Sequence, residues 1–90
     1  MEASELAREI GFQQEGETKG KSYVIRLKDS NDYSRAYTLL DKSGLTELDG
    51  DAISLDVEKS TISYVSEGYR ITLDADFDKD VYTVTIKEER

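Results

Sequence analysis

Two runs of alternating apolar and polar residues constrain the fold of this chain more than any other feature. The apolar positions of the two runs are Tyr69, Ile71, Leu73, Ala75 and Phe77, and then Tyr82, Val84 and Ile86. Successive side chains of a β-strand point to opposite faces, so each run has one apolar and one polar face. The polar link Asp78-Lys79-Asp80 between the runs therefore predicts an antiparallel hairpin with one buried face.

Two other segments have the spacing of a helix, with apolar residues at i, i+3, i+4 and i+7. These residues are Ala3, Leu6, Ala7 and Ile10 in the first segment, and Tyr33, Ala36, Tyr37 and Leu40 in the second. Gly11 and Gly44 follow the two segments as stop signals, and Asp29 or Ser30 can cap the second helix. A strand over 33–40 is the alternative, but the stripe and both end signals agree on a helix.

The remaining segments are predicted from shorter patterns. Residues 23–28 alternate as a strand, and residues 13–22 and 45–50 are polar connections, the first of them flexible. The apolar positions reverse parity within 53–66, from Ile53, Leu55 and Val57 to Ile62 and Tyr64. Such a reversal requires either a bulge in one strand or a turn between two. Glu67-Gly68 predicts a tight turn into the hairpin.

These elements predict an α+β fold for residues 1–90 as a single domain, in the order α-β-α-β-(β)-β-β. Two helices would pack on one face of a mainly antiparallel sheet of four to five strands. The predicted core joins strand residues to helix residues: Tyr23, Ile25, Leu27, Ile71, Leu73, Tyr82, Val84 and Ile86 with Leu6, Ile10, Tyr37 and Leu40.

Composition disfavours most kinds of catalysis. The chain has no cysteine and no histidine, which removes thiolate nucleophiles, the commonest general base and the commonest transition-metal ligand. With 37% hydrophobic residues in a chain of this length, a core and a deep substrate cavity compete for the same side chains. The sequence therefore predicts no enzyme activity, no cofactor, no metal site and no small-molecule substrate.

Charge is concentrated in the second half of the chain. The net charge is −8, of which residues 1–45 contribute −1 and residues 46–90 contribute −7. An acidic surface repels nucleic acid and anionic lipid, so direct binding to either is disfavoured and a basic protein is the expected partner. No signal peptide is recognisable and no run of about 18 apolar residues occurs, so a cytoplasmic location is expected.

The candidate binding residues are the aspartates of this second half: Asp49, Asp51, Asp56, Asp74, Asp76, Asp78 and Asp80. The last four have the D-x-D-x-D spacing that begins a calcium loop, but an EF-hand also needs a glycine and a glutamate where this chain has Lys79 and Thr85. Carboxylates at alternate strand positions lie about 6.6–6.8 Å apart, a spacing comparable to that of successive phosphates.

Three interpretations of these aspartates stay open: a solvated sheet face, an acidic protein-binding face, or a weak site for divalent cations. Small acidic α+β inhibitors of nucleic-acid enzymes, such as phage DNA mimics and some anti-CRISPR proteins, are similar to this chain in size and charge. The sequence thus predicts a non-enzymatic module that binds a basic protein, with a structural or assembly module as the alternative. Tyr64, Tyr69 and Tyr82 would serve either the core or such an interface.

Overall fold

The computed structural model describes residues 2–48 and 59–89 of the chain. Its helices are α1 (Ala3–Ile10) and α2 (Ser30–Lys42), and its strands are β1 (Glu17–Lys19), β2 (Ser22–Leu27), β3 (Thr46–Leu48), β4 (Lys59–Ser66), β5 (Tyr69–Asp76) and β6 (Val81–Glu88). All six strands form one antiparallel sheet in the order β1-β2-β6-β5-β4-β3.

The predicted hairpin is confirmed and lies at the centre of the sheet. In β5 and β6, Ile71 pairs with Ile86 and Leu73 pairs with Val84, and all four side chains are fully buried. Strand β2 pairs with the other edge of β6, which brings Ile25 beside Val84 on the same face. The alternation in the sequence has thus placed the apolar side chains of neighbouring strands on one face, as a period of two requires.

Both helices contribute to the same hydrophobic core as this face. Leu6 and Ala7 of α1 and Ala36 and Leu40 of α2 are buried in it. The helix predicted over 33–40 is confirmed, and the alternative strand is wrong. As predicted, Asp29 caps α2, since its Oδ1 accepts a hydrogen bond of 3.0 Å from the amide of Asp32.

The predicted C-terminal end of α1 and the predicted tight turn at Glu67-Gly68 are also found. Gly11, at φ 120°, ends α1, and Phe12 folds back into the core. Glu67 and Gly68 both have positive φ, of 42° and 89°, as a tight two-residue hairpin turn requires.

The element order and strand number differ from the prediction. Residues 13–22 and 45–50, predicted as connections, contain the short strands β1 and β3. These three-residue strands form the two edges of the described sheet, so residues 2–48 and 59–89 contain six strands, in the order α-β-β-α-β-β-β-β. Such strands are too short and too polar to produce a pattern of alternation, and they are defined by pairing with a longer neighbour.

Three residues predicted to lie in the core, and a fourth assigned to the apolar face of a strand, are more exposed than expected. Tyr37 is 40% exposed because α2 turns Ala36, Leu40 and the half-buried Leu39 toward the sheet instead. Ile10 and Tyr23 are only partly buried. Phe77, assigned to the apolar face of a strand, is 44% exposed because β5 ends at Asp76.

Part of the predicted acidic surface lies outside the described residues. This applies to Asp49, Asp51 and Asp56 and to the alternation over 53–57. Lys59–Ser66 forms a single strand, with Ile62 and Tyr64 buried against β5. The choice between a bulged strand and a hairpin over 53–66 likewise depends on residues outside the described ranges.

Candidate protein-binding site

The four aspartates near the β5–β6 turn do not form one row along a strand. Asp74 and Asp76 are half-buried in β5, whereas Asp78 and Asp80 lie exposed in the turn of residues 77–80. The chain turns here because the Asp76 carboxylate accepts a hydrogen bond of 3.1 Å from the amide of Lys79. The regular carboxylate spacing predicted from the sequence therefore extends over two residues.

The two strand aspartates are engaged with the neighbouring strand. Thr61 donates a hydrogen bond of 2.8 Å from its hydroxyl to the Asp74 carboxylate. Asp76 lies opposite Lys59 in the register of β4 and β5. Asp74 thus joins β5 to β4 by a side-chain hydrogen bond. Asp76 lies at a paired position where opposite charges attract each other.

Three aromatic rings meet beside the turn. The ring centroid of Tyr33, in the first turn of α2, lies 5.7 Å from that of Phe77 and 5.4 Å from that of Tyr82. Phe77 and Tyr82 are 5.9 Å apart in an edge-to-face arrangement. Such distances and tilts are favourable for aromatic pairs. The buried ring of Tyr82 is therefore the base on which the exposed ring of Phe77 and the half-buried ring of Tyr33 are held.

Carboxylates surround this ring cluster. The pKa of Tyr82 is raised above the ordinary 10.0, chiefly by its hydrogen bond to the Asp80 side chain, then by burial and by the negative charges of Asp80 and Asp29. Asp80 reaches this position with a backbone φ of 55°, a left-handed conformation that aspartate tolerates better than most residues. Asp80 is thus held at the hydroxyl of Tyr82 rather than in a strand row with Asp74 and Asp76.

We refer to these groups as the aromatic–acidic patch, which comprises Asp29, Tyr33, Phe77, Asp78 and Asp80.

Comparisons with family models, with curated proteins and with solved structures found no match. The chemistry of the patch is therefore inferred from its own residues. A cation above an aromatic face and beside carboxylates is attracted by both, so the patch is suited to a lysine or arginine side chain.

Other kinds of site find less support in the described residues. Within 2–48 and 59–89, no group of three or more acidic side chains is arranged to hold a metal ion. In the same part of the chain, neither helix has the length and apolar character needed to cross a bilayer. The sequence-based candidates Tyr64, Tyr69 and Tyr82 are all buried, so they belong to the core rather than to an exposed interface.

Three members of the patch, Asp29, Tyr33 and Phe77, were not predicted as binding residues. Tyr33 was assigned to the core stripe of α2, and Asp29 was considered solely as a helix cap. Phe77 carried a usable signal, because a phenylalanine directly before Asp78-Lys79-Asp80 stands next to a turn and can be exposed there. The contact between the turn and α2 is long-range, and no local pattern predicts it.

Proposed function

We propose that this protein is a non-enzymatic binding module that recognises a basic surface of another protein through the aromatic–acidic patch. The observation that carries the proposal is the exposed Phe77 ring held against Tyr33 and Tyr82 with Asp78 and Asp80 in the same turn. An arginine of the partner can stack on the ring and donate hydrogen bonds to a carboxylate at the same time.

The class of partner follows from charge. The chain carries −8 overall, so its long-range field attracts basic proteins and repels nucleic acid. Proteins that bind nucleic acid have clusters of exposed lysine and arginine, which makes them the favoured partners. In its specific form, the proposal is that the acidic residues of this chain occupy the basic groove in which the partner binds the phosphates of nucleic acid. The protein would then act as a DNA mimic or anti-CRISPR-like inhibitor. A cytoplasmic location stays a prediction.

The alternative is a structural or assembly module in which the acidic face is merely solvated. The pairing of Asp74 with Thr61 and the register of Asp76 with Lys59 favour this role for those two residues. The alternative makes no demand on Phe77, Asp78 or Asp80, so these three residues separate the two functions.

The test is a titration of the labelled protein with an arginine-rich peptide, followed by NMR at low salt. We expect saturable amide shifts at residues 29–33 and 76–82. Replacement of Phe77 by Ala should weaken binding about two- to fivefold, the effect of losing an exposed cation–π contact. The double variant Asp78→Asn/Asp80→Asn should weaken it about tenfold, since each exposed ion pair contributes up to about 1 kcal/mol.

The matched control is Glu9→Gln/Glu15→Gln, which removes the same charge from exposed positions elsewhere on the surface. If both double variants weaken binding equally, the peptide responds to net charge and the patch is not the site. Binding should also weaken steeply as salt is added, because exposed charges are screened. Shifts that avoid the patch, or that persist unchanged in the Phe77→Ala variant, would favour the structural module.

A further inference from the structure

A second surface of the molecule has the opposite charge. A groove of about 730 Å³ lies between residues 11–14, which follow α1, and the facing side of α2. Its apolar wall includes the buried side chains of Phe12 and Leu27 and the half-buried Leu39. The volume falls within the roughly 300–1,000 Å³ of small-molecule sites.

Cations outnumber carboxylates around this groove. Lys28, Arg35 and Lys42 line it, and among the lining residues within 2–48 and 59–89 Asp32 is the single acid. The groove therefore carries a formal charge of opposite sign to the −8 of the whole chain. A local surplus of positive charge on an acidic protein attracts anions to that place in particular.

The carboxylate of Asp32 is directed toward the protein. Asp32 Oδ2 accepts hydrogen bonds from Gln14 Nε2 at 3.2 Å and from the backbone amide of Lys28 at 3.1 Å. Its side chain is 14% exposed, whereas that of Arg35, 3.8 Å away, is 80% exposed. The contact between Asp32 and Arg35 is thus long and solvated, and it leaves most of the guanidinium available to another anion.

We propose that this groove binds an anionic amphiphile, a carboxylate with a linear apolar chain. The chain would lie along the partly exposed Leu39, over the buried side chains of Phe12 and Leu27, where it removes the remaining apolar surface from water. The carboxylate would bind Arg35, whose planar guanidinium can donate two parallel hydrogen bonds, with Lys28 and Lys42 adding to the positive field. This site is independent of the aromatic–acidic patch and of the proposed recognition of a basic protein.

Two features together select this class of ligand. A neutral lipid would leave the three cations without a function, and a compact anion such as phosphate would leave the apolar wall exposed. The acidic turn of a second copy of the chain is the other occupant of suitable charge. It differs from the amphiphile in that it makes binding at the groove depend on protein concentration.

The test is a titration with decanoate below the concentration at which it aggregates, followed by NMR. We expect saturable shifts at residues 11–14 and 34–42, with β5 and β6 unaffected. Decanol and decyltrimethylammonium, which share the chain but not the charge, should bind to the groove at least tenfold more weakly, as judged from the shifts at residues 11–14 and 34–42. The variant Arg35→Gln should weaken decanoate binding about tenfold, the loss expected for hydrogen bonds to a charged group.

Two variants complete the experiment. Thr38→Phe places a ring in the groove from an exposed position of α2 and should abolish binding while the fold is retained. Lys87→Gln, an exposed position on β6, is the matched control and should bind decanoate as the unaltered protein does. Equal affinity for decanol and decanoate, or an unchanged affinity in Arg35→Gln, would overturn the proposal. So would a groove-dependent dimer, detected by sedimentation, that decanoate does not dissociate.

Discussion

The aromatic–acidic patch and the basic groove share helix α2, and they differ in what their aspartates do. In the patch, Asp78 and Asp80 lie exposed in a turn, and Asp80 is hydrogen-bonded to Tyr82 at the edge of the surface. In the groove, Asp32 is largely enclosed and accepts hydrogen bonds from Gln14 and Lys28. Asp78 therefore supplies surface charge in the patch, whereas Asp32 supplies internal structure in the groove.

This difference shows that the net charge describes the patch but not the groove. A chain of −8 has one region where carboxylates face water and another where cations do. What decides the sign of a surface is which charged groups are used within the fold, because a carboxylate that accepts two internal hydrogen bonds has less capacity for an external partner. A partner meets the remaining groups.

The two regions also differ in how deeply they are anchored, and this gives the largest expected effect. Tyr82 is buried beneath the patch, so Tyr82→Ala should lower the free energy of unfolding by about 3–5 kcal/mol, as large-to-small changes in a core do. Leu39 is half-buried at the groove, so Leu39→Ala should lower it by about 1–2 kcal/mol. Urea unfolding of both variants measures the difference.

The control for this comparison is Tyr82→Phe, which keeps the ring and removes the hydroxyl. It should lower the free energy of unfolding by about 1 kcal/mol, the contribution of one hydrogen bond. If Tyr82→Ala and Leu39→Ala have equal effects, the patch is not anchored in the core more firmly than the groove, and the comparison is wrong in that respect.

The next effect concerns Asp32 and sharpens the contrast between inward and outward carboxylates. Asp32→Ala removes the acceptor for Gln14 and for the Lys28 amide, and it should lower the free energy of unfolding by about 1–3 kcal/mol. Hydrogen exchange at the Lys28 amide should become faster. Asp41→Ala, at an exposed position of the same helix, should have little effect on either measurement.

If Asp32→Ala and Asp41→Ala lowered the free energy of unfolding equally, the hydrogen bonds of Asp32 would make no measurable contribution to stability. Its carboxylate would then count as surface charge like those of the patch. The isosteric Asp32→Asn variant distinguishes shape from charge, since it retains one oxygen acceptor. It should lie between the unaltered protein and Asp32→Ala.

The architecture was largely predictable from the sequence because its central elements repeat a period. The alternation through Ile71, Leu73 and Val84 identified β5 and β6, and the stripe through Ala36 and Leu40 identified α2. The edge strands β1 and β3 were not predicted, because three residues are too few for a period to be recognised. Their pairing depends on neighbours that are already in place.

The candidate site was predictable in composition but not in geometry. The sequence identified Asp78 and Asp80 as acidic residues of a hairpin turn, yet it did not show that this turn contacts Tyr33 of α2. Nor did it show that Lys28, Arg35 and Lys42 line one groove, since Lys28 lies in the link between β2 and α2 and the facing wall comes from residues 11–14. Long-range contacts of this kind follow from packing, which a local pattern does not encode.

The smallest effect concerns the hydrogen bond between Asp80 and Tyr82 at the patch. Because the pKa of Tyr82 is raised in the folded protein, the protonated hydroxyl is favoured there. The corresponding stabilisation is present in full below the ordinary tyrosine pKa of 10.0, and it is lost as pH rises through the raised value. Asp80→Asn removes the negative charge, so the pKa of Tyr82 should fall toward its ordinary value.

The measurement is a pH titration followed by NMR, in which the ring signals of Tyr82 are resolved from those of the other five tyrosines of the chain. Asparagine tolerates the left-handed backbone at this position, so the variant changes charge without new strain. Asp78→Asn removes the same charge two residues away from Asp80. It should leave the pKa of Tyr82 nearly unchanged, because Asp78 is not among the groups that raise it. Equal shifts in both variants would mean that Tyr82 senses the general charge of the turn. In that case Asp80 would be an outward carboxylate like Asp78, and the patch would have no carboxylate fixed against its rings.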